Sequence, residues 1–155
     1  MDRKDQSSAR SEDLKGFLER KVVDHMSTNV VTISPKQTLR DLGELIERYD
    51  FNTIPVLDNG KLVGLVTKFD FLRAFAFTTK SLIPDYSEIM RTPIESIMSK
   101  NINAVEPATP LTRVLGMMVE QKTRSIPVVG SAEQLAGIIS REDIMLALRE
   151  SVRAN

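Results

Sequence analysis

Hydrophobic and polar positions along this chain follow one order of rhythms, and they follow it twice. A short β-rich run, Val30 to Ile33, is closed by Ser34-Pro35. Leu39, Leu42, Gly43, Ile46 and Tyr49 then recur at helical spacing. Two strand-like runs, TIPVL and LVGLV, flank Asn59-Gly60, a pair that suits a tight hairpin turn. A second helix is expected from about Phe69 to Phe77. In the second half the helical stripe is Leu111, Val114, Leu115, Met118 and Val119. The strands are SIPVV and LAGII, and the closing helix spans about Glu142 to Val152. Thr38 and Thr109 stand where an N-cap is wanted, and Pro110 suits a first helical turn. Each half therefore reads strand, helix, strand, strand, helix. Only the central hairpin is fixed as antiparallel by the pattern.

The two halves also match residue by residue. Met26 set over Met98 aligns MSTNVVTISPKQTLRDLGELIERYDFNTIPVL with MSKNINAVEPATPLTRVLGMMVEQKTRSIPVV without a gap. One extra residue then enters the second copy, where GSAE (Gly130 to Glu133) replaces DNG (Asp58 to Gly60). A hairpin loop tolerates such an insertion. The repeats span 22–77 and 94–152, with a connector at 78–93. Residues 1–21 are expected to be a polar tail and a short helix, with Ser11 as its cap and Leu14, Phe17 and Leu18 on one face. Thr92 and Glu95 in TPIE fit a capping box that leads into the second repeat.

Composition narrows the functions open to such a chain. Of 155 residues, 41% are apolar, enough for a core. The 21 acidic and 21 basic residues cancel, against the basic excess of a nucleic-acid binder. With no cysteine, disulfide, thiolate and cysteine–metal chemistry are excluded. No apolar run is long enough for a membrane span or a signal peptide, so a cytoplasmic protein is expected. His25 is the single histidine and has no partner for a nucleophilic or metal device. Neither a Walker loop, HExxH nor Gly-x-Ser-x-Gly occurs, and the expectation is no enzyme and no bound cofactor.

Two such units in tandem resemble a pair of CBS domains, the cystathionine-beta-synthase type of repeat also called a Bateman module. MSTNVVTISP and TIPVLDNGKLVGLVTKFD carry the resemblance, with their partners MSKNINAVEP and SIPVVGSAEQLAGIISRED. The resemblance implies a mixed α+β fold: two βαββα repeats packed sheet to sheet about a pseudo-twofold axis, with two clefts. It implies a sensor of adenosine compounds, AMP, ADP, ATP or S-adenosylmethionine, that relays binding by conformational change. A homodimer and an effector protein are the expected partners, with neither membrane nor nucleic acid among them. The competing function is a CBS module for dimerisation or protein docking that binds no ligand.

The motif TKFD, repeated as SRED, admits two readings that can coexist. Thr67 and Ser140 can be helix N-caps with Asp70 and Asp143 at the N3 position. Alternatively each Asp accepts the hydroxyls of a ribose, while the hydroxyl residue and free N–H groups hold sugar or phosphate beside Lys68 and Arg141. Arg124 has no counterpart in the first repeat, where Asn52 stands. By resemblance it reaches phosphates; otherwise it is a solvated arginine. One half-site would then comprise Ile138, Ser140, Arg141, Asp143 and Arg124, with Val23, Met26 and Thr28 from the first repeat. The other would comprise Leu65, Thr67, Lys68, Asp70 and Asn52, with Met98 and Lys100. Met26 and Met98 fit either adenine or ordinary core packing. In FDFLRAFAF, Phe71, Leu72 and Phe75 can form a core stripe, which leaves Phe69 or Phe77 for a subunit interface.

Overall fold

A computed structural model describes residues 15–76 and 85–153 of the chain. The chain folds as two compact units that do not coincide with the two repeats. One joins Val31–Asn103 with Ser131–Leu135; the other joins Met1–Val30 with Ala104–Gly130 and Ala136–Asn155. The lead-in to each repeat thus lies in the unit of the other. Ser11, Leu14 and Phe77 fall outside the described residues.

In the first unit, α1 (Leu39–Arg48) begins at Thr38. The Asp41 carboxylate accepts the Thr38 amide at 2.8 Å and its hydroxyl at 3.1 Å. Leu39 and Leu42 bury the inner face, while Tyr49 caps the end and is 43% exposed, off the expected stripe. Strands β1 (Ile54–Asp58) and β2 (Lys61–Val66) pair antiparallel around Asn59 and Gly60, both at positive φ, as a two-residue turn of this hand requires. The expected strand at Val30 to Ile33 shrinks to one parallel bridge, Ile33 to Val56. Pro55 has no N–H to extend that pairing, and the chain turns at Ser34-Pro35. Helix α2 (Lys68–Arg73) is shorter than expected, and α3 (Tyr86–Ile89) is capped by Asp85. Ile33, Leu42, Ile54, Val56, Val66 and Ile94 form the core. Phe71 and Phe75 pack against it, but Leu72 is 66% exposed and joins Phe69 on the outer face, so the expected stripe loses its middle member.

The capping box expected at TPIE does not form. Ile94–Ser96 is a single 3-10 turn preceded by Pro93. The Thr92 carbonyl instead accepts the Leu39 amide at 2.9 Å, which ties the segment to the start of α1.

The second unit contains α4 (Leu111–Gln121), β3 (Ser125–Val129), β4 (Leu135–Ser140) and α5 (Arg141–Arg153). Pro110 takes the N-cap of α4. Thr109 is not the cap: its hydroxyl accepts the Glu106 amide at 3.1 Å and closes the preceding turn. Lys122 ends α4 in the left-handed conformation. Val105 bridges Val128 in parallel, as Ile33 bridges Val56. The core gathers Phe17, Val22, Val114, Ile126, Ile139 and Ile144. Val22 is wholly buried here although it belongs by sequence to the first repeat. Leu18 and Val119, placed on buried faces by spacing, are instead exposed.

Candidate ligand-binding half-sites

Each candidate site begins with a glycine and a methionine. Gly137 in β4 is buried, and a Cβ there would lie 2.5 Å from the Ser27 carbonyl oxygen and 3.0 Å from the Met26 sulfur. Only a residue without a side chain admits the lead-in this closely. Ser27 and Ile138 exchange main-chain hydrogen bonds at 2.9 Å in both directions. The first unit repeats the device. A Cβ on Gly64 would lie 2.5 Å from the Met98 sulfur, and Leu65 and Ser99 exchange hydrogen bonds at 3.0 and 2.9 Å. Met26 and Met98 are both partly buried against their cores. Core packing is therefore a role both methionines fill, and the motif glycine makes room for a methionine.

The hydroxyl–aspartate pairs form capping boxes in both units. Asp143 Oδ2 accepts the Ser140 amide at 2.8 Å and its hydroxyl at 2.9 Å; the Ser140 hydroxyl accepts the Asp143 amide at 3.2 Å. Asp70 Oδ2 accepts the Thr67 amide at 2.9 Å and its hydroxyl at 3.1 Å, and Thr67 Oγ1 accepts the Asp70 amide at 3.3 Å. The second oxygens differ. Arg73 Nη2 donates to Asp70 Oδ1 at 3.0 Å and to the Ile97 carbonyl at 3.3 Å. Asp143 Oδ1 has no partner among the described residues, and Leu146 stands where Arg73 stands in the first repeat. Sequence reading missed Arg73, although Asp70 and Arg73 sit at the i, i+3 spacing that brings helical side chains together.

The cations take different work from that expected. Arg141 is turned back onto the end of α4, where its Nε donates to the Thr123 carbonyl at 3.0 Å and Nη2 to the Lys122 carbonyl at 3.2 Å. A helix C-terminus leaves such carbonyls unpaired, and a guanidinium satisfies them. Lys68 leans the same way, 4.0 Å from the Asp50 carboxylate and 5.9 Å from the Phe51 ring centroid. Neither is held ready for a phosphate. Arg124 is exposed, with no side-chain partner among the described residues. Its carbonyl accepts the Arg141 amide at 3.0 Å, which fixes Arg124 beside the N-terminus of α5.

The second unit thus brings together Met26, Ile138, Ser140, Asp143 and the Arg124 backbone. Thr28 is exposed one residue beyond the Ser27 bridge. Val23 is 49% exposed, and its amide donates to the Pro107 carbonyl at 2.9 Å, away from the capping box. The first unit brings together Leu65, Thr67, Asp70 and Met98; Lys100 is exposed and Asn52 half-buried. A largely apolar groove runs between α4 and α5, lined by Leu115, Met118, Val119, Ile144, Met145 and Leu148, with Lys122 and Arg141. Among the described residues no cluster of three acidic or histidine side chains could hold a metal, and no helix is long and apolar enough to cross a membrane.

The CBS-domain profile matches residues 22–77 and 87–150. The chain belongs to the CBS-domain family. This CBS pair is 26% identical over 126 residues to protein MJ1225 of Methanocaldococcus jannaschii; the match covers 79% of the chain and spans only 45% of that relative. Among solved structures, the AcuB protein of Vibrio cholerae is 30% identical with a TM-score of 0.75, over 88% of this chain and 97% of the other. The protein CBSX2, solved in complex with AMP, is 27% identical with a TM-score of 0.72, over 84% and 96%. The CBS domain pair of protein MJ0100, solved with 5′-methylthioadenosine and S-adenosyl-L-methionine, is 25% identical with a TM-score of 0.67, over 82% and 98%.

Proposed function

We propose that this CBS pair is a regulatory module that binds an adenosine compound at the second-unit half-site. The observation that carries this reading is the Oδ1 of Asp143 at the start of α5, with Arg124 fixed beside it, neither side-chain group having a partner among the described residues. The carboxylate oxygen suits a ribose hydroxyl, and the arginine and helix N-terminus suit a phosphate or carboxylate. Met26 and Ile138 offer an apolar flank for a purine. AMP bound to CBSX2 and S-adenosylmethionine bound to MJ0100 share the adenosine part this arrangement suits. A cytoplasmic setting, rich in free nucleotides, fits the reading. The ligand acts by favouring one of two conformations, by as much as its affinities for the two differ, and an effector protein reads the shift.

A second reading, protein docking or homodimerisation, is favoured by exposed apolar side chains. Phe69 and Leu72 are 68% and 66% exposed in the first unit, and Val119 and Met145 are 71% and 59% exposed in the second. Thermal unfolding with AMP, ADP, ATP, S-adenosylmethionine and GTP as control separates the two. At a hundred times its dissociation constant a ligand stabilises by about 2.7 kcal/mol, a rise of several degrees. We expect a rise in wild type that the Asp143→Ala, Arg124→Ala double variant loses, each measured against its own unliganded midpoint. No rise with any compound would leave docking as the function.

A further inference from the structure

We propose that Arg73 is a built-in plug that closes the first-unit half-site to ribose, so that one chain binds one adenosine ligand and not two. The proposal rests on the adenosine reading of the capping aspartates. A carboxylate has two oxygens, and in both units the capping box engages Oδ2. In the first unit the remaining oxygen carries the Arg73 guanidinium at 3.0 Å. The same nitrogen also reaches the Ile97 carbonyl, just before the Met98–Ser99 segment that pairs with β2. Arg73 therefore lies across the place where a ligand would pass from the aspartate to the lead-in. The Asp70 side chain is only 10% exposed, with two donors on Oδ2 and Arg73 on Oδ1, whereas the Arg73 side chain is 56% exposed and makes the outer cover.

The second unit lacks the plug for a simple reason of sequence. Position 146 is leucine, 44% exposed, and cannot pair with Asp143. A ligand entering the first half-site must displace the Arg73 guanidinium or share Oδ1 with it, which a ligand entering the second does not meet. That difference lowers affinity by a factor of about 10 to 100. The absence of a counterpart to Arg124 in the first repeat acts in the same direction, but only for ligands with a phosphate. The plug acts on any ribose.

Counting sites by equilibrium dialysis tests this, with AMP and, in parallel, S-adenosylmethionine on wild type, Arg73→Leu and Leu146→Arg. Arg73→Leu copies the second repeat into the first; Leu146→Arg does the reverse at a position that is 44% exposed. We expect one site per chain in wild type, two in Arg73→Leu, and binding weakened at least about tenfold in Leu146→Arg. One site in both wild type and Arg73→Leu overturns the plug and leaves the adenosine reading intact. Two sites in wild type overturn the plug as well. No site in wild type but one in Arg73→Leu supports the plug and overturns the assignment of the ligand to the second unit. No binding by either protein overturns both. If Arg73→Leu does not fold, Leu146→Arg decides alone, and unchanged affinity there overturns the plug.

Discussion

Asp70 and Asp143 occupy the same place in the same capping box, and their surroundings differ at one oxygen. Arg73 holds that oxygen in one unit and nothing among the described residues holds it in the other. Arg141 shows the converse, a residue next to the candidate site whose hydrogen bonds go to the scaffold. Its guanidinium satisfies the carbonyls of Lys122 and Thr123. Arg141→Ala should cost about 1 kcal/mol, because the bonds are charge-assisted but exposed. It should change ligand affinity less than twofold. Urea unfolding and a binding titration on the same variant check both halves; a large loss of affinity would return Arg141 to the site. The sequence put Arg141 beside Asp143, but chain proximity does not say which way a long side chain turns.

At the scale of elements, the glycines decide how the lead-ins dock. The clash at Gly137 is with the backbone oxygen of Ser27, which cannot move without breaking the pairing to Ile138. At Gly64 the nearest atoms belong to the Met98 side chain, which has rotamers to spare. Gly137→Ala should therefore destabilise by about 1–3 kcal/mol or more, and Gly64→Ala by less. Chemical denaturation of the two variants ranks them, and the reverse order would show that the methionine is the stiffer neighbour. The hairpins, the three long helices and the box at Thr67 were legible because local periodicity and turn chemistry fix them. The short bridge at Ile33 was not, since it depends on a proline in a strand more than twenty residues away. TPIE misled for a related reason: the Thr92 carbonyl is claimed by α1, and a single 3-10 turn takes the place of a capped helix.

At the scale of the molecule, two repeats in sequence become two units by exchanging lead-ins. Val22, Met26 and Ser27 serve the unit of the second repeat, while Ile94, Met98 and Ser99 serve that of the first. Alignment shows that the lead-ins are equivalent but cannot show that they are exchanged, since pairing within or between repeats leaves the same pattern. The family resemblance implied that link for Met26 and Met98, and in the structure the neighbouring Ser27 bridges Ile138 and Ser99 bridges Leu65. Each candidate half-site consequently draws residues from both repeats, yet each lies within one unit.

The most direct measurement is an amide chemical-shift titration of the isotope-labelled chain with AMP, repeated with S-adenosylmethionine. The account predicts that Arg124, Met26, Ser27 and the amides from Ser140 to Asp143 respond to at least one of the two ligands. It predicts that the amides from Thr67 to Asp70, with Met98 and Ser99, stay in place at the same ligand concentration. Shifts confined to the first set would locate the ligand in the second unit. Shifts in the Thr67 to Asp70 set, or none in either set with both ligands, would contradict the account.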